Sequence, residues 1–534
     1  MKKLLQITLM GILIFCYSCK NESNNKSQNK KPTVASLSNP NIIFIMSDDH
    51  AAHAIGAYGG RLAGVDPTPN LDKLAHEGKL FTNVFCNNSI CIPSRASILT
   101  GQYPQTNGVL DLDHALDTAK QYLPIELKKL GYATAIIGKW HLKNEPTNFD
   151  YYQVLPVQGK YFDPVFRTRG DEAWPKNQVM HKGFSTDIIT DLSIDYLKNR
   201  DKNRPFFLMH HYKAPHGPFS RHSRYDDFLA KVEIPEPESL YSQPHFGSEA
   251  TRGRNDSLLH YMGSSLSSRH FSHRSCKDTG DVATQKTYQR YLKNYLRCAK
   301  GIDDNLGRLF NYLKNEGLWE NTIIIYTSDQ GMMLGEHDYV DKRWMYEESM
   351  QMPFIMHYPK LIKPGTKSDL LINNTDFAPT MIELAGGKTP GYMQGRSFVN
   401  TIGGKDEKDW RTATYYRYWM HMIHHFVPAH FGIRTNDYKL TFYYSAHYLE
   451  PKDFDEHYWK KKYGEALLKD IPVSWEFYDF KNDPQELINQ YNNPTYKKVI
   501  AQLKNELIKT REELNETDAN YPKFQHIIDQ HWND

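Results

Sequence analysis

Four short apolar runs, each ending in charged or polar residues, constrain this chain more than any other feature. Asn41-Ile42-Ile43-Phe44-Ile45-Met46 leads into Ser47-Asp48-Asp49-His50, and Ala133-Thr134-Ala135-Ile136-Ile137 leads into Gly138-Lys139-Trp140-His141. Pro205-Phe206-Phe207-Leu208-Met209 is followed by a segment reaching His216, and Thr322-Ile323-Ile324-Ile325-Tyr326 by Thr327-Ser328-Asp329-Gln330. Continuous apolar runs of this length fit strands buried on both faces. Between them lie helical signals. Residues 68–78 carry an early proline and a closing glycine, and a helix around residues 123–130 stops at Gly131. Leu292, Tyr295, Leu296, Ala299, Ile302, Leu306, Leu309, Phe310 and Leu313 keep a three-and-four spacing that predicts a long amphipathic helix or a kinked pair. Strands alternating with helices predict an α/β fold with a largely parallel sheet covered on both faces. Ligands in such folds bind beyond the carboxyl ends of the strands. Any one of Asp48, Asp49, Lys139, His141, His216 and Asp329 could sit on a surface loop. Four strands delivering ionisable groups to one edge mark a site.

The residues suggest its chemistry. Adjacent carboxylates at Asp48 and Asp49 repel each other and are costly near a core unless a cation neutralises them. Asp48, Asp49 and Asp329 offer carboxylate oxygens and Gln330 an amide oxygen. An all-oxygen set suits Ca²⁺ or Mg²⁺ rather than zinc, and calcium tolerates irregular geometry better. His421-Met422-Ile423-His424-His425 would suit a transition metal but brings no carboxylate partner or recognised ligand spacing.

A further stretch, Cys91-Ile92-Pro93-Ser94-Arg95, puts a cysteine at a helix start, with proline where its missing N–H costs nothing. The exposed N–H groups of such a turn attract anions, and Arg95 lies about one turn behind. Continued through Ala96-Ser97-Ile98-Leu99-Thr100-Gly101, the stretch resembles the type I sulfatase signature C-x-P-S-R-x-x-x-L-T-G, whose cysteine is oxidised to formylglycine. Gly138-Lys139-Trp140-His141, Ala214-Pro215-His216, Thr327-Ser328-Asp329-Gln330-Gly331, the segment 335–349 and the segment 476–489 extend the resemblance, in order, over roughly residues 40–490. The resemblance implies an alkaline-phosphatase-like fold, a large α/β domain with a mixed sheet followed by a smaller C-terminal subdomain. It also implies that Asp48, Asp49, Asp329 and Gln330 hold calcium together with the formylglycine made from Cys91. Arg95 and Lys139 would steady that group, His141 would be its base, and His216 and Lys342 would grip the sulfate and the leaving oxygen. Gln330 stands where many members have asparagine or histidine, and Gln351 where arginine is frequent.

A polar break at residues 403–408 divides the chain into a catalytic unit, 41–402, and a C-terminal unit, 403–534. Short aromatic runs at 413–419, 431–434, 438–444 and 475–480 predict a small antiparallel sheet, with helices to the end. Residues 235–285, rich in Ser, His, Arg and Gly, read as a long loop insertion. Arg417, His421, His424, His425 and Arg434 are candidate substrate contacts, because an aromatic, basic segment suits a sulfated glycan.

At the N-terminus, two lysines precede an apolar run from Leu4 to Tyr17 that is too short to span a membrane, followed by Ser18-Cys19. This predicts a lipoprotein signal over 1–18 with Cys19 lipidated, although Cys16 and Tyr17 depart from the usual pattern; plain secretion to the periplasm is the alternative. Residues 19–40 form a polar tether. Six cysteines include only Cys86, Cys276 and Cys298 outside the leader and the signature, so any disulfide pairing among them stays open. A formal net charge of +3 with no basic stripe gives no sign of nucleic acid.

The expectation is therefore an outer-membrane lipoprotein sulfatase acting on sulfated polysaccharide, matured by a formylglycine-generating enzyme. Ulvan or another algal glycan is favoured over glycosaminoglycan or carrageenan, on the likeness of the leader and tether to those of polysaccharide-degrading Bacteroidetes. The alternatives are a formylglycine-dependent phosphonate or phosphate ester hydrolase, and a lipoprotein that binds sulfated glycans without cleaving them.

Overall fold

The computed structural model describes residues 39–241, 245–252, 280–423, 425–449 and 471–534. The leader, Cys19, most of the tether, Cys276 and His424 lie outside the described residues, as does most of the expected insertion over 235–285.

The four apolar runs form the centre of a ten-stranded sheet. Asn41–Asp48 pairs in parallel with Phe206–Pro215 on one side and Thr322–Ser328 on the other, and Ala133–Lys139 pairs in parallel with Phe206–Pro215. Successive side chains of a strand point to opposite faces. Accordingly Ile42, Phe44 and Met46 join one hydrophobic core and Ile43 and Ile45 the other.

Toward its margins the sheet is mixed. Phe354–His357 runs antiparallel to both Thr322–Ser328 and Lys79–Phe81, and Tyr151–Leu155, Val165–Thr168 and Gln178–Met180 form an antiparallel meander. Local returns of this kind need no helical crossover, so the strand–helix alternation that signals parallel pairing does not announce them.

The three-and-four pattern resolves as one helix, Gly280–Asn315, of 36 residues. It is about 54 Å long and starts inside the segment expected to be loop. Its apolar stripe, including Tyr291, Tyr295, Leu296 and Ile302, is buried in the second core.

The C-terminal unit carries the expected antiparallel sheet, ordered Ala413–Tyr418, His430–Thr435, Tyr438–Tyr443, Ser474–Asp479. One face is covered by helices Lys497–Glu513 and Pro522–His531, through Leu503, Leu507 and Phe524. The other face presents Tyr416, Tyr418, Tyr443 and Tyr478 to Trp344, Met345 and Tyr346 of the large unit. Cys86 and Cys298 are buried free thiols.

Candidate active site

The central strands end side by side, and their last residues and following turns meet the helix Cys91–Thr100, all ten residues of which are buried. The helix is held at its start by Ser94, whose Oγ donates to the carbonyl oxygen of Asp329 and accepts from Asn374 Nδ2 at 2.9 Å. Asp49 and His141 leave their strands in the left-handed region, at φ 67° and 57°. Such a backbone costs non-glycine residues about 1–2 kcal/mol. The Asp49 amide donating to Asp329 Oδ1 at 3.1 Å helps to hold it. Gly138, at φ 105°, lets its strand close on the neighbour: a Cβ there would lie 1.8 Å from the His211 carbonyl oxygen.

Cys91 Sγ lies 3.3 Å from Asp48 Oδ1 and 3.6 Å from Lys139 Nζ. Lys139 also contacts Asp48 Oδ2 and donates to Gln158 Oε1 at 2.6 Å. Arg95 donates to Asp329 and to the Lys139 carbonyl oxygen. Lys342 Nζ is 2.5 Å from Asp49 Oδ2, and His216 Nε2 is 3.7 Å from the same oxygen.

Burial opposes every one of these charges, so the net state of each group depends on its neighbours. Against burial, Lys139, His216 and Arg95 hold Asp48 well below the carboxylate range. Burial pushes Asp49 up to about 6, with Lys342 opposing and Asp48 reinforcing. Burial and the other two carboxylates carry Asp329 to about 7 despite Arg95. Asp49 and Asp341 raise Lys342 although burial works the other way. His141 and His216 are both pushed well down, first by burial and then by Lys139 and Lys342 respectively.

Asp48, Asp49 and Asp329 each bring an oxygen within 4.8 Å of the others. Gln330 donates its Nε2 to Asp49 Oδ1, while its buried Oε1 has no hydrogen-bond partner among the described residues. Three crowded carboxylates, two of them raised, together with an orphaned amide oxygen, are a donor set that fits a hard divalent cation.

Nine of the residues read from the sequence thus converge: Asp48, Asp49, Cys91, Arg95, Lys139, His141, His216, Asp329 and Lys342, with Gln330 beside them. Among the described C-terminal candidates, Arg417, Arg434 and His421 do not. Arg417 is fully buried, ion-paired to Asp518 at 2.7 Å and stacked 3.6 Å from the Trp419 ring, so its charge is spent inside the small unit. Arg434 pairs with Glu347 at 2.9 Å and covers the Phe85 ring. His421 is buried and accepts from the Ala429 amide. Of the described candidates, His425 reaches the rim, 3.5 Å from Asp341, which in turn flanks Lys342.

Sequence reasoning missed Asp341, Gln158, Tyr161 and Lys213. Lys213 is buried one strand from Lys139, and burial followed by that neighbour lowers it to about 8. Tyr161 donates to the His216 carbonyl oxygen at 2.6 Å. Asp341 and Lys213 were visible only as neighbours of Lys342 and His216; Gln158 and Tyr161 carry no local signal.

A family model for sulfatases matches residues 40–387, and one for the C-terminal region of N-sulphoglucosamine sulphohydrolase matches residues 335–463 and 448–513. An N-acetylglucosamine-6-O-sulfatase of Bacteroides thetaiotaomicron is 37% identical over 521 residues, spanning 90% of this chain and 87% of its own. An ulvan-active sulfatase of Formosa agariphila is 28% identical over 507 residues, spanning 93% of this chain and 86% of its own. A protein solved in complex with its substrate D-glucosamine-2-N,6-O-disulfate superimposes with a TM-score of 0.79 at 36% identity, covering 90% of this chain and 99% of that one. With its alkaline-phosphatase-like architecture and these matches along most of its length, the chain belongs to the sulfatase family, whose members hydrolyse sulfate esters.

Proposed function

We propose that this sulfatase removes a 6-O-sulfate from a glucosamine or N-acetylglucosamine unit of a sulfated glycan, using calcium and a formylglycine made from Cys91. The observation that carries the chemistry is the meeting of three carboxylates with Arg95, Lys139 and Lys342 around Cys91 Sγ. The sugar is inferred from the 37% identical N-acetylglucosamine-6-O-sulfatase, against 28% for the ulvan-active relative. This moves the expectation away from ulvan, which rested on the leader and tether.

Asp48, Asp49, Asp329 and Gln330 would hold the calcium, which supplies positive charge for sulfate oxygens. Residue 91, as the hydrate of formylglycine, would supply the nucleophilic hydroxyl. The protein's own side chains do the rest. Arg95 and Lys139 fix the orientation of residue 91, and Lys139 with Lys342 offers preplaced charge where negative charge develops. His216 Nδ1 donates to the Gly217 carbonyl oxygen at 2.8 Å, leaving Nε2 facing the site. A sulfate beside Lys342 offsets the cation that depresses His216, so the arriving substrate favours the protonated ring that can release a proton to the departing sugar oxygen. His141, buried and held neutral, is kept in the form that can accept a proton.

Export as a lipoprotein through Cys19 belongs to the same proposal; among the described residues no helix is long and apolar enough to cross a membrane. The test is a desulfation panel with protein whose residue 91 has been checked by mass spectrometry. Turnover of N-acetylglucosamine 6-sulfate and of glucosamine-2-N,6-O-disulfate, with little on ulvan oligosaccharides, is expected. Faster turnover of the ulvan oligosaccharides would transfer the assignment to them, and full activity with unmodified cysteine would refute the formylglycine.

A further inference from the structure

The helix that begins at Cys91 has no capping side chain at Ile90, so the chain entering it is held by other contacts. The Arg417 amide donates to the Asn87 carbonyl oxygen at 2.9 Å. The Ser89 amide donates to the phenolic oxygen of Tyr416 at 3.2 Å, and the hydroxyls of Ser89 and Tyr416 are hydrogen-bonded to each other. Both holds come from one strand of the small unit, Ala413–Tyr418.

The same strand reaches the segment that carries Lys342. Lys342 lies between two residues in the left-handed region, Asp341 at φ 72° and Arg343 at φ 89°. That backbone is costly for residues other than glycine, and it persists where the surroundings over-determine it. Arg343 is held at both of its backbone groups. Its N–H donates to Ser89 Oγ at 3.1 Å, and its carbonyl oxygen accepts from the Tyr416 hydroxyl at 2.6 Å. The Trp344 carbonyl oxygen and Ser349 Oγ lie 3.3 and 3.0 Å from the same Ser89 Oγ.

One phenol therefore donates to the segment of Lys342 and accepts from the segment leading to Cys91, which uses its donor and its acceptor capacity together. Tyr416 and Ser89 are fully buried, so a hydrogen bond lost here is not replaced by bulk water. The Tyr416 ring is stacked on His430, with 5.6 Å between centroids, and this packing fixes the direction of its hydroxyl from within the small unit. We propose that Tyr416 is a positioning residue through which the small unit sets where Lys342 stands relative to residue 91. The inference rests on the reading that residue 91 attacks the sulfate and Lys342 takes up charge there. Two groups that act on one sulfate must keep a fixed separation, and a displacement of about 1 Å is enough to slow the reaction.

The experiment compares the matured full-length protein with Tyr416→Phe and Tyr444→Phe, residue 91 being checked by mass spectrometry in each. Tyr444 is also buried, and its hydroxyl donates to the Tyr418 carbonyl oxygen at 3.2 Å, so it controls for the loss of a buried phenol in the same unit. Tyr416→Phe is expected to lower kcat on N-acetylglucosamine 6-sulfate about 10- to 100-fold, with KM within about twofold. Tyr444→Phe should leave both near wild type even where the two melting temperatures fall equally. Amide hydrogen exchange in peptides 86–92 and 340–349 should quicken together in Tyr416→Phe and in neither peptide of Tyr444→Phe. Ser89→Ala cuts the same link from its other side and should lower kcat likewise, and the double variant Tyr416→Phe/Ser89→Ala should lose little more than the worse single one. Unchanged kcat in Tyr416→Phe, an equal kcat loss in Tyr444→Phe, or fully additive losses in the double variant would overturn the proposal. If wild-type enzyme desulfates no sugar in the panel, the catalytic reading falls; quickened exchange of both peptides then leaves the Tyr416 link standing, and unchanged exchange removes it as well.

Discussion

Arg95 bridges two of the three clustered carboxylates: its Nε donates to Asp329 Oδ2 at 2.9 Å, and its Nη2 lies 3.4 Å from Asp48 Oδ1. Its Nη1 also donates to the carbonyl oxygen of Lys139 at 2.8 Å. One side chain on the Cys91–Thr100 helix thereby ties that helix to the ends of three strands. Removing one partner from a buried ion pair leaves an uncompensated charge, at a cost of about 3–5 kcal/mol. Arg95→Ala should therefore lower the melting temperature by several degrees as well as abolish turnover. An inactive variant with wild-type stability would mean that Arg95 serves chemistry alone.

Metal removal should expose the repulsion among Asp48, Asp49 and Asp329. Chelation is expected to lower both activity and melting temperature, with calcium restoring them; saturation at 100 times Kd would account for about 2.7 kcal/mol. Gln330→Ala should weaken calcium binding, read by titration calorimetry, while keeping the fold. Calcium-independent melting in the wild type would refute the assignment.

The burial of Arg417 against Asp518 makes a prediction opposite to a substrate role. Arg417→Met should destabilise by about 1–3 kcal/mol, because buried Asp518 then keeps Arg511 as its one remaining cation among the described residues. The double variant Arg417→Met/Asp518→Leu should not recover that loss, because buried Arg511 then loses its own carboxylate partner. KM for a sulfated sugar should stay within twofold in whichever variant folds. A raised KM without loss of stability would return Arg417 to the substrate.

Four histidines distant from the carboxylate cluster, His210, His337, His421 and His430, are pushed by burial from 6.5 to about 3. Each folded value lies below the unfolded one, so the unfolded chain takes up protons first. The stability these residues contribute is complete above about pH 6.5 and is lost as pH falls toward 3, at up to about 1.4 kcal/mol per pH unit for each. Melting temperatures should fall steeply between pH 6 and pH 4, and His430→Gln should flatten that slope by about one proton. A pH-independent melting temperature across that interval would contradict the burial of these rings in neutral form.

Much of the candidate site's composition was legible in the sequence. The strand ending in Asp48-Asp49, the strand ending near Asp329-Gln330 and the Cys91 helix start are local patterns, and local hydropathy decides which strands lie at the centre of a sheet. The antiparallel margins were not legible, because Gln178–Met180 is exposed along its length and carries no buried-strand pattern.

The sequence by itself determined the central strands, a helical pattern that it left open as one helix or a kinked pair, the small antiparallel sheet and the residues gathered at the strand ends. All of these follow from periodicity within a few turns of chain and from motif spacing. Only the tertiary structure decided how the arginines are used. Arg95 and Arg417 are both buried beside carboxylates, yet one joins the carboxylate cluster of the candidate site and the other is enclosed with Trp419. Their partners are distant in sequence, and pairing between distant charges depends on which surfaces the assembled sheets bring together. The same holds for Lys213, Tyr161 and Gln158. Local sequence specifies which residues are apolar enough to be buried; long-range packing sets which charges are left facing one another.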